Sequence, residues 1–375
     1  MFKAKGEDLQ LIVDKVKRAA KRARLNDSHV FVSSHKEGIV SFFFAGDELQ
    51  VQREMECTTE GEFEFATTTY ELECKILALP ADEIIHIEKN GNHASLKWGR
   101  SSKIAMELVP ELSPGINIPE AKQKVVWSPG ELHKIARSLP QFTAIKNSAC
   151  ASQFPVTRCV NFMQEDTGEV LVRATNSARA VTLQPLGLEW FEGFSAAIPT
   201  ETILALVEMI PSDVSVNVSV NEEHTLLVFE AGRMKAVTRL LEGDYPAIDK
   251  SFTLPTEAKS IWRVDRLELL NTARRIRRLK GDAPKMMFSK DGTKTFVTLQ
   301  GVLVEQIGAI VEGEANVDFI INADFIEICL NLYRCEEVLI CVRDEPSLPI
   351  TIVGASEGED SNEKIKTLLA QAQGQ

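Results

Sequence analysis

The sequence predicts an α+β chain built as three successive repeats of one pattern, on three observations. Helical periodicity recurs at two sets of landmarks, each set spaced by roughly 123 to 134 of the 375 residues, about a third of the chain. Between those helices apolar residues alternate with period two, and hairpin signals stand at Lys89-Asn90-Gly91-Asn92 and Lys290-Asp291-Gly292-Thr293. Strands outnumber helices and connect through tight turns, which argues for antiparallel sheets rather than a doubly wound parallel one.

In chain order, a first helix over 7–25 carries Leu9, Ile12, Val13, Val16, Ala20 and Ala23 on one stripe. Strands at 30–32 and 39–44 follow, and a shorter helix starts near Thr69. The second repeat enters its helix at Ser128-Pro129-Gly130-Glu131, read as N-cap, N1 proline and capping-box acid, with Leu132, Ile135, Ala136 and Leu139 on the apolar face. Strands at 160–163 and 170–174 lead to a helix from Thr200, then to strands at 214–220 and 226–229. The third repeat opens with a helix from Asp265 to Lys280, striped by Leu267, Leu270, Ala273 and Ile276 and stopped by Gly281 and Pro284. Leu269, Ile276 and Leu279 point away from Leu267 and suit a partner. A short helix from Ala323 lies between strands at 317–321 and 338–342. Proline-bearing joints at 113–119 and 254–257 divide the chain into repeats 1–122, 123–255 and 256–355. The remainder, 356–375, reads as an appended tail, acidic at first and then amphipathic, disordered or marginally helical.

Composition is that of an ordinary globular chain, 44% hydrophobic and 26% charged. No apolar run approaches the roughly 18–20 residues of a membrane span, and no secretory signal opens the chain, so no membrane partner and a cytoplasmic location are expected. Seven cysteines without a C-x-x-C pair suit reduced thiols. Six scattered histidines have no ligand spacing, and no phosphate-binding loop, dinucleotide fingerprint or nucleophile elbow is present. The expectation is therefore no metal, no cofactor and no catalytic residue: a scaffold rather than an enzyme.

The formal charge of −12 is unevenly spread. Lys15, Lys17, Arg18, Lys21, Arg22 and Arg24 give the first helix an excess of about five positive charges, and Arg263 to Lys280 repeats that excess through Arg263, Arg266, Arg274, Arg275, Arg277, Arg278 and Lys280 against Asp265 and Glu268, so the rest carries about −22. One such run is a solvated helix face; two at matching repeat positions describe a surface that holds a phosphate backbone without reading sequence. The middle helix contributes Lys134 and Arg137, a thinner lining.

Arg239-Leu240-Leu241-Glu242-Gly243-Asp244-Tyr245-Pro246 resembles the bacterial β sliding clamp, the processivity factor of replicative DNA polymerase. Ala174-Thr175-Asn176-Ser177-Ala178-Arg179-Ala180 resembles that family's A-T-D-G-H-R-L segment, Ala197-Ile198-Pro199 its V-P helix entry, and Leu348-Pro349-Ile350 its C-terminal strand. The resemblance implies a head-to-tail homodimeric ring of three clamp domains per chain, helices inside and antiparallel sheets outside, around double-stranded DNA. It also implies a pocket for short peptides of the polymerase, the clamp loader and repair proteins, with no reaction of its own. Carried over by position, the pocket is Asn161, Thr175, Ser177, Arg179, Ala180, Pro246, Lys250, Pro349 and Ile350. Ser177 stands for the family's glycine, Ala178 for histidine, Ala180 for leucine, and Ala247-Ile248 for Asp-Tyr, a pocket shaped for a different peptide, such as that of a dedicated or virus-encoded replisome. The ring interface implied is Ile104 and Met106 against Ile276 and Leu279, with Ile104 and Met106 also readable as core, and acids of the second protomer are expected to meet the four arginines. The alternative reading is a clamp-fold adaptor that binds replication proteins without encircling DNA.

Overall fold

Helix-forming stripes and alternating strands produce the elements in the order the repeats require. The chain opens with strand β1 (Phe2–Lys5), helix α1 (Gly6–Arg22), strands β2 (His29–Lys36), β3 (Ile39–Ala45), β4 (Leu49–Glu56), β5 (Thr58–Thr59) and β6 (Phe63–Thr68), helix α2 (Thr69–Ile76), and strands β7 (Ile84–Asn90), β8 (His93–Trp98) and β9 (Ser102–Glu107). The middle runs β10 (Ala121–Trp127), α3 (Glu131–Ser138), α4 (Ala149–Gln153), β11 (Cys159–Gln164), β12 (Val170–Thr175), β13 (Arg179–Pro185), β14 (Ser195–Pro199), α5 (Thr200–Met209), β15 (Val216–Asn221), β16 (Leu226–Ala231) and β17 (Met234–Arg239). The last part runs β18 (Ser260–Asp265), α6 (Arg266–Leu279), β19 (Lys285–Asp291), β20 (Lys294–Leu299), β21 (Leu303–Ile307), β22 (Ala309–Gly313), β23 (Phe319–Asn322), α7 (Ala323–Leu330), β24 (Glu337–Val342), β25 (Ile350–Gly354) and β26 (Glu363–Leu369). This computed structural model describes residues 1–25, 29–110, 115–281, 283–314, 318–343, 345, 348–355 and 363–372. Residues 113 and 114 of the first expected joint, Val317 of an expected strand and the acidic stretch 357–362 lie outside them.

Local chemistry fixes the helix starts. Thr68 Oγ1 accepts from the Glu71 amide at 3.0 Å, Asp265 Oδ1 from Glu268 at 2.7 Å and Asn322 Oδ1 from Asp324 at 2.8 Å, each capping orphan donors of the following helix. The second repeat departs from the expected cap. Gly130 sits at φ +87°, a left-handed conformation that cannot belong to the helix, so α3 begins at Glu131 and Pro129 lies in the preceding turn. On α6 the buried stripe is Leu269, Leu270, Ala273 and Ile276, while Leu267, expected inside, is 55% exposed.

The chain forms two compact units that differ from the sequence repeats: residues 1–137 with 198–242, and 138–197 with 243–375. In the first, α1 packs on α2 and α5. Its two sheets are β5-β1-β7-β8-β9 and the eight-stranded β10-β15-β16-β17-β4-β3-β2-β6. The latter is a single sheet because β17 pairs with β4, Met234 opposite Arg53 through Thr238 opposite Leu49. Phe42, Phe44, Trp127 and Phe229 are buried in this unit.

The second unit holds β14-β11-β12-β13-β26-β25-β24-β18-β22 and β21-β20-β19-β23. Buried Trp262 meets Phe288 and Phe319 edge-on at 6.1 and 5.3 Å, and those two rings stack at 4.4 Å. The tail is where expectation fails. Residues 363–369 form neither coil nor helix but strand β26, inserted between β13 and β25 with Arg179 opposite Leu369 and Leu369 opposite Ile350. Lys364, Ile365, Lys366 and Thr367 alternate charged and uncharged, a period-two signal stronger than the helical one.

Among the described residues no helix is long and apolar enough to cross a membrane. Leu369 is fully buried, so Leu369→Ala is expected to cost about 2–5 kcal/mol in urea unfolding. An unchanged midpoint would return the tail to the status of an appendage.

Candidate functional site

The 175–180 turn is built by its own side chains. Asn176 Oδ1 accepts from the amides of Ala178 and Arg179 at 3.1 and 3.0 Å, and Thr175 Oγ1 donates to the Arg179 carbonyl at 3.1 Å while accepting from the Ser177 amide at 3.2 Å. Ser177 stands at φ +70°, the left-handed region that favours glycine. Its exposed Oγ lies 3.1 Å from Cys150 Sγ. Arg179 follows with Nε donating to the Gln141 carbonyl at 2.8 Å and its guanidinium 4.9 Å from the Phe325 ring centroid and 6.0 Å from that of Phe142. Burial pushes its pKa down.

Beside this turn Ala180, Ile248 and Phe252 form a buried apolar cluster against which Leu368 packs. The segment that carries Ile248 is tied down from beneath by charge. Arg173 forms an ion pair with Asp249, and its Nε and Nη2 both donate to Asn161 Oδ1. Thr182 Oγ1 completes the Asp249 carboxylate at 3.0 Å, and the Arg173 guanidinium lies 5.6 Å from the Tyr245 ring centroid. Burial pushes the Tyr245 hydroxyl far above the usual phenol range, so it stays protonated.

The nine residues expected at this site therefore separate. Ser177 and Lys250 are exposed, and Arg179, Pro246 and Pro349 are half-buried. Thr175 and Ala180 are its buried supports. Asn161 and Ile350 are corrected to core. The Asn161 amide is spent on Ser195 Oγ and the Ala196 carbonyl, and Ile350 is buried opposite Leu369 in the ladder. Missed in the sequence were Phe252 and Leu368, while Ile248 enters there only as a departure from the family's Asp-Tyr. Strand alternation in the last segment could have found Leu368; Ile248 and Phe252 lie in a short irregular stretch with no periodic signal.

The basic helices are more neutral than their sequence windows suggest. Lys17 pairs with Glu73 of α2, Arg18 with Asp14, Arg22 with Glu208 and Arg24 with Glu201 of α5, and Lys134 with Glu131. Arg137 also has an interaction partner. On α6, Arg274 and Arg277 both reach Glu327, Arg277 adds Asp324, and Arg275 pairs with Glu305 of β21. Three of the four arginines thus already hold acids of their own chain. Lys21, Arg278 and Lys280 remain exposed with no ion pair among the described residues, while Lys15 is half-buried, its pKa lowered by burial and by Arg53. The interface expectation is corrected in part: Met106 and Ile276 are 1% and 0% exposed in their own cores, Ile104 is half-buried on β9, and Leu279 is 56% exposed. Among the described residues no three His, Cys, Asp or Glu side chains are grouped to hold a metal.

No protein-family model matches the sequence, and no curated protein matches it. Solved structures match along the whole chain. The DNA polymerase III β chain of Streptococcus pneumoniae aligns at TM-score 0.84 and 20% identity, covering 100% of this chain and 99% of that one. The putative DNA polymerase III β subunit of Eubacterium rectale gives 0.83 and 18% over the same shares. The sliding clamp of Bartonella birtlesii, bound to griselimycin, gives 0.84 and 13%, again over 100% and 99%. The chain therefore has the β-clamp fold from end to end.

Two outcomes follow from these geometries. Asp249→Asn removes the charge under Ile248 and is expected to cost about 1.5–3 kcal/mol in urea unfolding, the range for hydrogen bonds to charged groups. For Glu327, burial raises the carboxyl pKa but the bonds from Arg277 and Arg274 outweigh it, leaving the folded value low. A depressed folded pKa gives stability that is present above the unfolded value near about 4.3 and is lost as pH falls through the folded value, so Glu327→Gln is expected to flatten the acid limb of a thermal-melt profile.

Proposed function

We propose that this chain is a sliding clamp: a homodimeric ring that encircles duplex DNA and tethers the replicative polymerase, without catalysing a reaction itself. The observation that carries the reading is the end-to-end correspondence with β-clamp structures. Three clamp domains at 1–122, 123–255 and 256–355 would each contribute to the ring, with 363–372 belonging to the third rather than to a tail.

Closure would use two free sheet edges. β9 ends the five-stranded sheet and β21 ends the four-stranded one, each offering an unpaired row of backbone donors and acceptors. Pairing β9 of one protomer with β21 of the next continues both sheets, with Ile104 and exposed Leu279 as the apolar flank. The helices carrying Lys21, Arg278 and Lys280 would face the duplex. Most of the remaining basic side chains are held in ion pairs with carboxylates of the same chain, their cationic ends partly open to solvent and able to exchange a carboxylate for a passing phosphate. The polymerase and loader would dock a short apolar peptide on the Ala180, Ile248, Phe252 and Leu368 cluster, with Arg179 and Ser177 at its rim. Cytoplasmic replication is the matching context.

The internal pairing of the basic helices is the observation that favours the adaptor reading, since it leaves few free cations. Retention on nicked circular DNA separates the two. A clamp loaded onto the circle co-elutes with it and is lost after linearisation, with little dependence on salt. A protein never retained, or one that stays on linear DNA, excludes encirclement.

A further inference from the structure

The outer face of the five-stranded sheet carries an arrangement that the ring does not require. Its strand register sets Lys3 opposite His86, His86 opposite Lys97 and Lys97 opposite Lys103, a single row of basic residues across β1, β7, β8 and β9. Lys97 and Lys103 are like charges directly opposite one another, an arrangement that destabilises a sheet and so needs a reason. The four-stranded sheet of the last repeat supplies the comparison. Counted from the matching hairpins at Gly91 and Gly292, its equivalent row is Ile320, Met287, Thr298 and Val304, with no charge at all. The hairpin architecture therefore does not dictate the basic row, and the molecule's net charge of −12 makes it an exception on this surface.

The row ends at the β8–β9 turn in a concavity of about 270 Å³ lined by His86, Lys97, Trp98, Arg100, Ser102 and Lys103. Lys97 and Lys3 hold exposed ion pairs with Glu88 and Glu60 at 2.6 and 2.7 Å. Arg100 and Lys103 have no ion pair among the described residues. Trp98, half-buried at the end of β8, gives the concavity one aromatic wall.

We propose that this row is a binding track for single-stranded nucleic acid, with the phosphate backbone along Lys3, Lys97 and Lys103 and an unpaired base against Trp98 in the hollow edged by Arg100. A line of cations beside an aromatic face is the pairing that holds single strands without reading sequence. A duplex keeps its bases stacked inside and offers Trp98 nothing, and an acidic peptide makes no use of the ring. The track works on the unloaded chain, so it stands or falls independently of ring closure.

Fluorescence anisotropy of a labelled oligothymidylate with the full-length protein tests it. Three lysine contacts give a log–log salt slope of about −2.1, and the Lys97→Gln/Lys103→Gln variant should reduce it to about −0.7 with at least a tenfold weaker Kd at low salt. Both substituted side chains are exposed, and an unchanged thermal melt confirms the variant is folded. Trp98→Ala should weaken binding about fivefold or more. Three results overturn the proposal: no binding at low salt, full binding by the double lysine variant with loss in Lys21→Gln/Arg278→Gln, or equal binding of a polyglutamate peptide at the same lysines.

Discussion

The pairing of strands from distant parts of the chain is the constraint on which the remaining structure rests. Residues 363–369 lie opposite Arg179 to Pro185 on one side and opposite residues near Ile350 on the other, so the last strand completes a nine-stranded sheet that would otherwise be cut in two. Without β26, β13 and β25 would each present an unsatisfied edge inside the unit, and the cost of unmade backbone hydrogen bonds falls on both. The same device joins β17 to β4 in the other unit. This is why compact units and sequence repeats are different partitions of the chain: repeats follow the order of elements, while units follow the sheets that seal them.

The apolar cluster inherits its shape from that ladder. Ala180 lies on β13 opposite Leu368 on β26, which brings a side chain from near the end of the chain to the turn at 175–180. Ile248 has no ladder to hold it, and the Arg173 and Asp249 pair takes over that task. A guanidinium only 10% exposed would be costly alone; here a carboxylate, an asparagine oxygen and a tyrosine face satisfy it. A polar network with all its members bonded holds an irregular segment in one position, which hydrophobic contact alone would not specify.

What could be read from the sequence follows from the range of each interaction. Helix starts at Thr69, Asp265 and Ala323 depend on residues within one turn, and they stand where periodicity put them. Gly130 was legible as a breaker only by its backbone angle, because serine, proline and glutamate around it imitate a cap. The strand at 363–369 was read as a tail because a seven-residue segment carries both periods weakly, and only its neighbours decide between them. Charge was the least local quantity. A window over α1 contains its lysines and arginines but not Glu73, Glu201 and Glu208, which lie far along the chain and arrive through the packing of α2 and α5. The window counted charge correctly and field wrongly.

That cancellation bears on how a ring would treat DNA. A lumen lined by free cations would bind phosphates by counterion release, and each added contact would steepen the salt dependence and slow movement along the duplex. A lining most of whose arginines already hold carboxylates offers each phosphate only the difference between two ion pairs. Such a surface replaces one partner by another as the duplex advances, so the barrier between successive positions stays low. Residence then has to come from topology, and topology depends on sheet edges rather than on charge. On the proposed function, the neutralised helices and the open edges of β9 and β21 are two parts of one arrangement: the first removes grip, and the second makes grip unnecessary.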